Sequence, residues 1–195
     1  MGIKRICVFC GSAAGKRSTY QEAAVDIGTM LALGNFDLVY GGGRVGLMGL
    51  VADSVLRNGG RAIGVMPEHL VAKEIAHQGL TELHVVSSMH ERKALMEELA
   101  DAFVALPGGY GTFEEFCEML TWGQLGLHRK PCGLLNVDGF YDPLIELFEH
   151  AVREGFVPAD HRRFVLDDSQ PGRLIERLIR YKPQSTTKWL DRSET

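Results

Sequence analysis

The 195-residue chain lacks most features that would assign a class at once. It has no apolar stretch of membrane-spanning length, so no helical membrane span is expected. The first apolar run, residues 3–10, is broken by Lys4 and Arg5 and is too short for a secretory core with a cleavage site, so the expected address is cytoplasmic. There is no basic excess: 21 Lys and Arg stand against 25 Asp and Glu, a formal charge of -4. Such a surface cannot neutralise a row of phosphates, which argues against a nucleic-acid binder, although a small anion held by backbone N–H groups remains compatible. Four cysteines do not make a disulfide scaffold. Cys7 and Cys10 have the spacing of a redox or zinc pair, but they lie in a β-like run where residues three apart point to opposite faces, so buried strand thiols are expected. Cys117 and Cys132 are isolated, and no second histidine lies at ligand spacing from His90. Neither a metal nor a cofactor is expected.

What is present is a 45% hydrophobic composition, enough for one sizeable core, and a regular alternation of short β-like and longer helical runs. Strands are predicted over residues 3–10, 36–40, 61–66, 83–86, 102–106 and 131–137. Helices are predicted over 18–33, opened by a Ser18/Gln21 capping box, over 46–57, 89–100 and 112–125, then from the sixth strand to about 153, and last from Gln170-Pro171 through 179. Strand–helix alternation with short buried strands implies a parallel sheet joined by crossover helices. The expected fold is therefore α/β: a Rossmann-like doubly wound parallel sheet with helices on both faces, a single domain over 1–182, and a polar, disordered tail over 183–195. Such folds bind ligands beyond the carboxyl ends of their strands, which selects the loops "CGSAAG", "YGGGRVG", "MPEHL" and "LPGGYG".

These loops differ in how much they say. "GSAAGKRS" has three residues between its glycines where a P-loop needs four, and Arg17 stands where Ser or Thr should follow the lysine. Gly41, Gly43 and Gly46 satisfy GxGxxG, but the acidic residue awaited about 20 positions on would be Glu68, displaced beyond Pro67. A dinucleotide-dependent oxidoreductase is thus one rival reading. "PGGYGT" is the more informative loop: Gly108, Gly109 and Gly111 can expose successive N–H groups at a helix N-terminus, forming an anion site to which the Thr112 hydroxyl can add. Behind it, Glu114 and Glu115 have two explanations. Thr112-x-x-Glu115 is a capping box; alternatively, a carboxylate one turn from a bound phosphate is placed to act on the attached sugar.

In "SSMHERKALMEEL", Leu95, Met96 and Leu99 define a buried stripe that also takes in Arg92. That arginine either snorkels or pairs with a structural acid, or aims its guanidinium into a cleft. Lys93 has a plain reading as a surface pair with Glu97 at i+4.

"PGGYGTFEE" matches the pattern PGGxGTxxE, "MHERK" an upstream Arg-Lys element, and "YGGGRVGLMG" and "VFCGSAAG" the remaining motifs of the cytokinin-activating phosphoribohydrolases, the Lonely guy (LOG) family, which the chain resembles from about residue 5 to about 180. The resemblance implies hydrolysis of the N-glycosidic bond of a purine nucleoside 5'-monophosphate, either AMP or N6-isopentenyl-AMP, by a homodimer. It assigns Arg92 and Glu115 as the catalytic pair. It places substrate contacts on Glu74, Arg92, Lys93, Gly108, Gly109, Tyr110, Gly111, Thr112, Phe113, Glu114 and Thr121. Relatives have been labelled lysine decarboxylases, and the fold is shared with molybdenum-cofactor carriers, so a non-catalytic nucleotide or cofactor carrier is the alternative. Ribosyl C–N cleavage builds positive charge on the sugar, which a fixed carboxylate stabilises. Glu115, beside a helix N-terminus, is expected to stay ionised and to serve in charge stabilisation or water activation.

Overall fold

In the computed structural model, residues 2–71 and 76–183 are described. The predicted contact Glu74 and all of the predicted tail except Pro183 lie outside these residues. In chain order the elements are β1 (Arg5–Phe9), α1 (Ser18–Leu33), β2 (Asp37–Tyr40), α2 (Gly46–Arg57), β3 (Ala62–Pro67), α3 (Glu68–Val71), β4 (Glu82–Val86) and α4 (Met89–Leu99). They continue with β5 (Ala102–Ala105), α5 (Tyr110–Gln124), β6 (Cys132–Leu135), α6 (Asp142–Arg153), α7 (Ala159–Arg162), β7 (Val165–Asp168) and α8 (Pro171–Arg180).

The seven strands form one parallel sheet in the order β4-β3-β2-β1-β5-β6-β7. The chain winds outward from β1 to β4, then returns beside β1 and winds the other way. The β1/β5 junction is therefore the topological switch point, where the two crossovers diverge and leave a crevice at the carboxyl ends. Strands buried on both faces explain why their sequences read as nearly continuous apolar runs. One face packs Ile6, Val8, Leu38 and Val104 with Ile27 and Leu31 of α1, Val51 of α2 and Leu174 of α8. The other packs Cys7, Phe9, Val39 and Phe103 with Met96 of α4 and with Phe116 and Met119 of α5. Cys7 and Cys10 lie on opposite sides of the sheet as unpaired buried thiols, and burial pushes both thiols well above their ordinary range.

Two local expectations are corrected, at the starts of α1 and α5, and two further elements, α7 and β7, are present. Ser18 does not cap α1, because the N-cap position falls on Arg17 and makes no side-chain bond. β7, with its polar Asp167-Asp168, and the four-residue α7 were not legible after Gly155, where no periodicity is long enough to register. α5 starts at Tyr110, two residues earlier than predicted.

Candidate active site

Glycine-bearing turns follow three neighbouring strands at their carboxyl ends: Gly41 after β2, Gly11 after the central β1 and Gly108 after β5. The fit is tight on one side. Gly11 N–H donates to Pro107 C=O at 3.1 Å, and a Cβ on Gly108 would stand 2.1 Å from Thr112 Oγ1 and 3.0 Å from Gly11 N. On the other side there is room, since a Cβ on Gly109 or Gly111 would meet no atom within 4 Å. α5 opens here with Gly109 as N-cap and no side-chain cap. Its first N–H groups have no intrahelical acceptor, so they present an uncapped, partly positive helix end to that space, the setting for an anion.

Thr112 and Glu115 therefore form no capping box. Thr112 is the third residue of α5 and is buried, and Glu115 is the sixth, facing inward. Glu115 is 9% exposed and its Oε1 lies 3.7 Å from Nη2 of Arg92, which is also 9% exposed. That separation is an ion pair without a hydrogen bond, leaving the polar atoms of both groups able to engage a third partner. Burial raises the Glu115 carboxyl above its ordinary range, and the Arg92 charge is the main influence pulling it back. Among the neighbouring side chains, Arg92 is the main group that favours the charged form.

Arg92 is held by α4, whose start is fixed by Ser88: its Oγ accepts from Glu91 N–H at 3.1 Å while Glu91 accepts from the N–H and hydroxyl of Ser87. The Ser88-x-x-Glu91 spacing is the sequence signature of this N-terminal cap. The guanidinium is lightly engaged. Nη1 rests against Met89 Sδ at 3.7 Å, and Nε is buried with no hydrogen-bond partner among the described residues. Room for it comes from Gly41, where a Cβ would stand 1.9 Å from Nη2. The GxGxxG-like loop thus begins with a space that the arginine fills, a function invisible in glycine spacing alone.

Lys93 does not pair with Glu97, which binds Lys130 instead. It is buried and bonded to Glu114 Oε1 and to Glu118 Oε1, the latter at 3.1 Å. Burial works to lower the Lys93 ammonium pKa, but the hydrogen bonds to the two carboxylates outweigh it and hold the group above its ordinary value. Glu118 was not among the predicted residues, although its i+4 spacing from Glu114 places both on one helical stripe.

Of the other predicted contacts, Tyr110 is exposed at the helix start, and Phe113 packs on Phe140 and Tyr141. Thr121 lies apart from the cluster. It is exposed, bonded to Cys117 C=O at 2.8 Å, and stands six residues beyond Glu115, about 9 Å further along the helix. Among the described residues, no three His, Cys, Asp or Glu side chains gather to hold a metal ion.

Comparison with known proteins bears on this site. A family model described as "Possible lysine decarboxylase" matches residues 48–178. The chain is 51% identical to "Cytokinin riboside 5'-monophosphate phosphoribohydrolase LOG" of Oryza sativa subsp. japonica, over 93% of this chain and 75% of that protein. It is equally 51% identical to the LOG4 protein of the same description from Arabidopsis thaliana, over 92% and 83%. Among solved structures it resembles the molybdenum cofactor binding protein of Rippkaea orientalis, with a TM-score of 0.69 at 23% identity over 90% of this chain and 95% of that one. That last likeness is one of fold alone.

Proposed function

The chain belongs to the LOG family of cytokinin riboside 5'-monophosphate phosphoribohydrolases, and from that premise we propose that it hydrolyses the N-glycosidic bond of cytokinin riboside 5'-monophosphates or AMP, releasing base and ribose 5-phosphate. The observation that carries this reading is the buried Arg92–Glu115 pair standing one turn from the uncapped, glycine-lined start of α5. The 5'-phosphate is received by N–H groups of Gly109, Tyr110, Gly111 and Thr112, with Gly108 allowing the close turn and Phe113 and Glu114 completing the segment. The sugar then lies over Glu115.

As the bond between ribose C1' and the base nitrogen lengthens, its electron pair leaves with the base, which takes up a proton from solvent that Glu115 later returns by releasing the one it accepts, and positive charge builds on the sugar. Glu115 stabilises that charge and accepts a proton from the attacking water, whose oxygen bonds to C1'. Arg92 favours the ionised Glu115, and its Nε, which has no hydrogen-bond partner among the described residues, is available to the bound nucleotide. Glu74, Lys93 and Thr121 belong to the same proposal as substrate contacts carried over from the family, with the activity assigned to residues 1–182.

A homodimer is part of this reading. It is supported by α6, which buries none of its residues fully, and by the exposed Leu147 and Phe156, the latter 83% exposed. No helix among the described residues is long and apolar enough to cross a membrane, which is compatible with the proposed cytoplasmic location.

The test is chromatographic: incubate the protein with AMP and with N6-isopentenyl-AMP, beside Glu115→Gln, and measure free base. Base released by the unaltered protein alone supports the hydrolase, and the faster substrate identifies the preferred base. Intact nucleotides that nonetheless bind would replace it with the carrier reading.

A further inference from the structure

Arg92 and Glu115 sit on different helices, so their separation depends on what holds α4 against α5 at that level. The residues beside them supply the link. Lys93 follows Arg92, Glu114 precedes Glu115, and Glu118 lies one turn further along α5; the Lys93 ammonium bonds both carboxylates.

We propose that Lys93 and Glu118 form an interhelical clamp that sets the Arg92–Glu115 separation, with Glu118 as its positioning residue. This rests on the assignment of Arg92 and Glu115 as the reacting pair. The three members of the cluster are not equivalent. The Lys93 side chain is 7% exposed, that of Glu118 is 23% exposed and that of Glu114 is 53% exposed. Both bonds to Lys93 are part-buried, and the Glu118 carboxylate is the more sheltered of the two from competing water. Glu118 is also committed to this one task. Its other carboxylate oxygen is buried with no hydrogen-bond partner among the described residues, so Lys93 is what its burial serves. Lys93 then acts through geometry, keeping the neighbouring guanidinium beside Glu115, and Glu118 acts through Lys93.

The experiment compares base release from AMP by the unaltered protein, Glu118→Gln, Glu118→Asp and Lys93→Met. It also titrates the Glu115 carboxyl carbon by NMR in the full chain. Misplacement of reacting groups by about 1 Å costs up to about a hundredfold in rate, so Glu118→Gln and Lys93→Met are expected to lower kcat by about ten- to a hundredfold. In Glu118→Gln KM should stay within about twofold, because what is lost is transition-state geometry. A raised KM with unchanged kcat in both variants would leave Lys93 as a substrate contact with no part in setting the Arg92–Glu115 separation and would overturn the clamp.

The titration has its own sign. Glu115 is faced by Arg92 and Lys93 of α4, by Glu114 and Glu118 of its own helix, and by Cys7 and Cys10 at β1, whose thiols stay neutral. Removing the Glu118 charge would by itself lower the Glu115 pKa; drift of Arg92, the stronger influence, raises it. An upward shift in Glu118→Gln supports the clamp and a downward shift overturns it. In Glu118→Asp the charge is retained, so the same upward shift, smaller, is expected even if the glutamine variant fails to fold; no shift there counts against the clamp. Because the titration needs no turnover, a chain that releases no base would refute the hydrolase reading while the clamp is still judged.

Discussion

Replacing Glu115 by glutamine keeps the shape of the side chain and removes its charge, which separates the two roles the sequence allowed it. Arg92 approaches this carboxylate to 3.7 Å, so a sugar carbon acquiring positive charge can be stabilised from a comparable distance. Two unit charges about 4 Å apart at an effective dielectric of about 20 interact by about 4 kcal/mol. That energy corresponds to about a thousandfold in kcat. The expected result is a loss of that order, measured as free base under saturating AMP, with nucleotide binding retained. Stability should move little, because two effects oppose. Burial raises the Glu115 carboxyl, so between the ordinary and the raised value the folded chain holds the extra proton, and stability falls as pH rises through that window. Glutamine abolishes this cost but leaves Arg92 without its counter-charge. A kcat within about tenfold of the unaltered protein would refute the electrostatic assignment, since it leaves less than about 1.4 kcal/mol for the charge. A collapse of the melting transition would instead show that the residue is chiefly structural.

Other outcomes follow from the same geometry. Arg92→Met removes the main influence that lowers the Glu115 carboxyl, so the acidic limb of the pH–rate profile should move to higher pH along with the fall in kcat; an unmoved limb would assign it to another group. Gly41→Ala places a methyl 1.9 Å from Arg92 Nη2 and should displace the guanidinium, giving a folded protein with kcat reduced by about a hundredfold; unchanged turnover would mean that Arg92 tolerates displacement. His128 is buried with Nε2 2.9 Å from Met119 C=O and Nδ1 accepting from Lys130 N–H at 3.1 Å, an arrangement for the neutral ring. Burial lowers its pKa, so the unfolded chain binds the proton more readily and stability is lost as pH falls below the ordinary histidine range; thermal melts of His128→Gln should lack that slope.

The sequence by itself determined the layered architecture. Its alternating runs, buried on both faces, specify a parallel sheet covered by helices, and the loops at the strand carboxyl ends mark where a ligand binds. It also marked Arg92, because a charge on an apolar helical stripe is costly without a purpose, and it marked the glycine-to-carboxylate stretch before Glu115. It left open whether Glu115 capped its helix. That depended on where α5 begins, and a shift of two residues in a helix start changes a capping position into an inward-facing one. Only the tertiary structure brought α4 and α5 together, paired Lys93 with Glu114 and Glu118 rather than with Glu97, and showed Gly41 making room for a guanidinium 51 positions later in the chain. These are contacts between residues far apart in sequence, and local periodicity reports which face of an element is buried without naming what it is buried against.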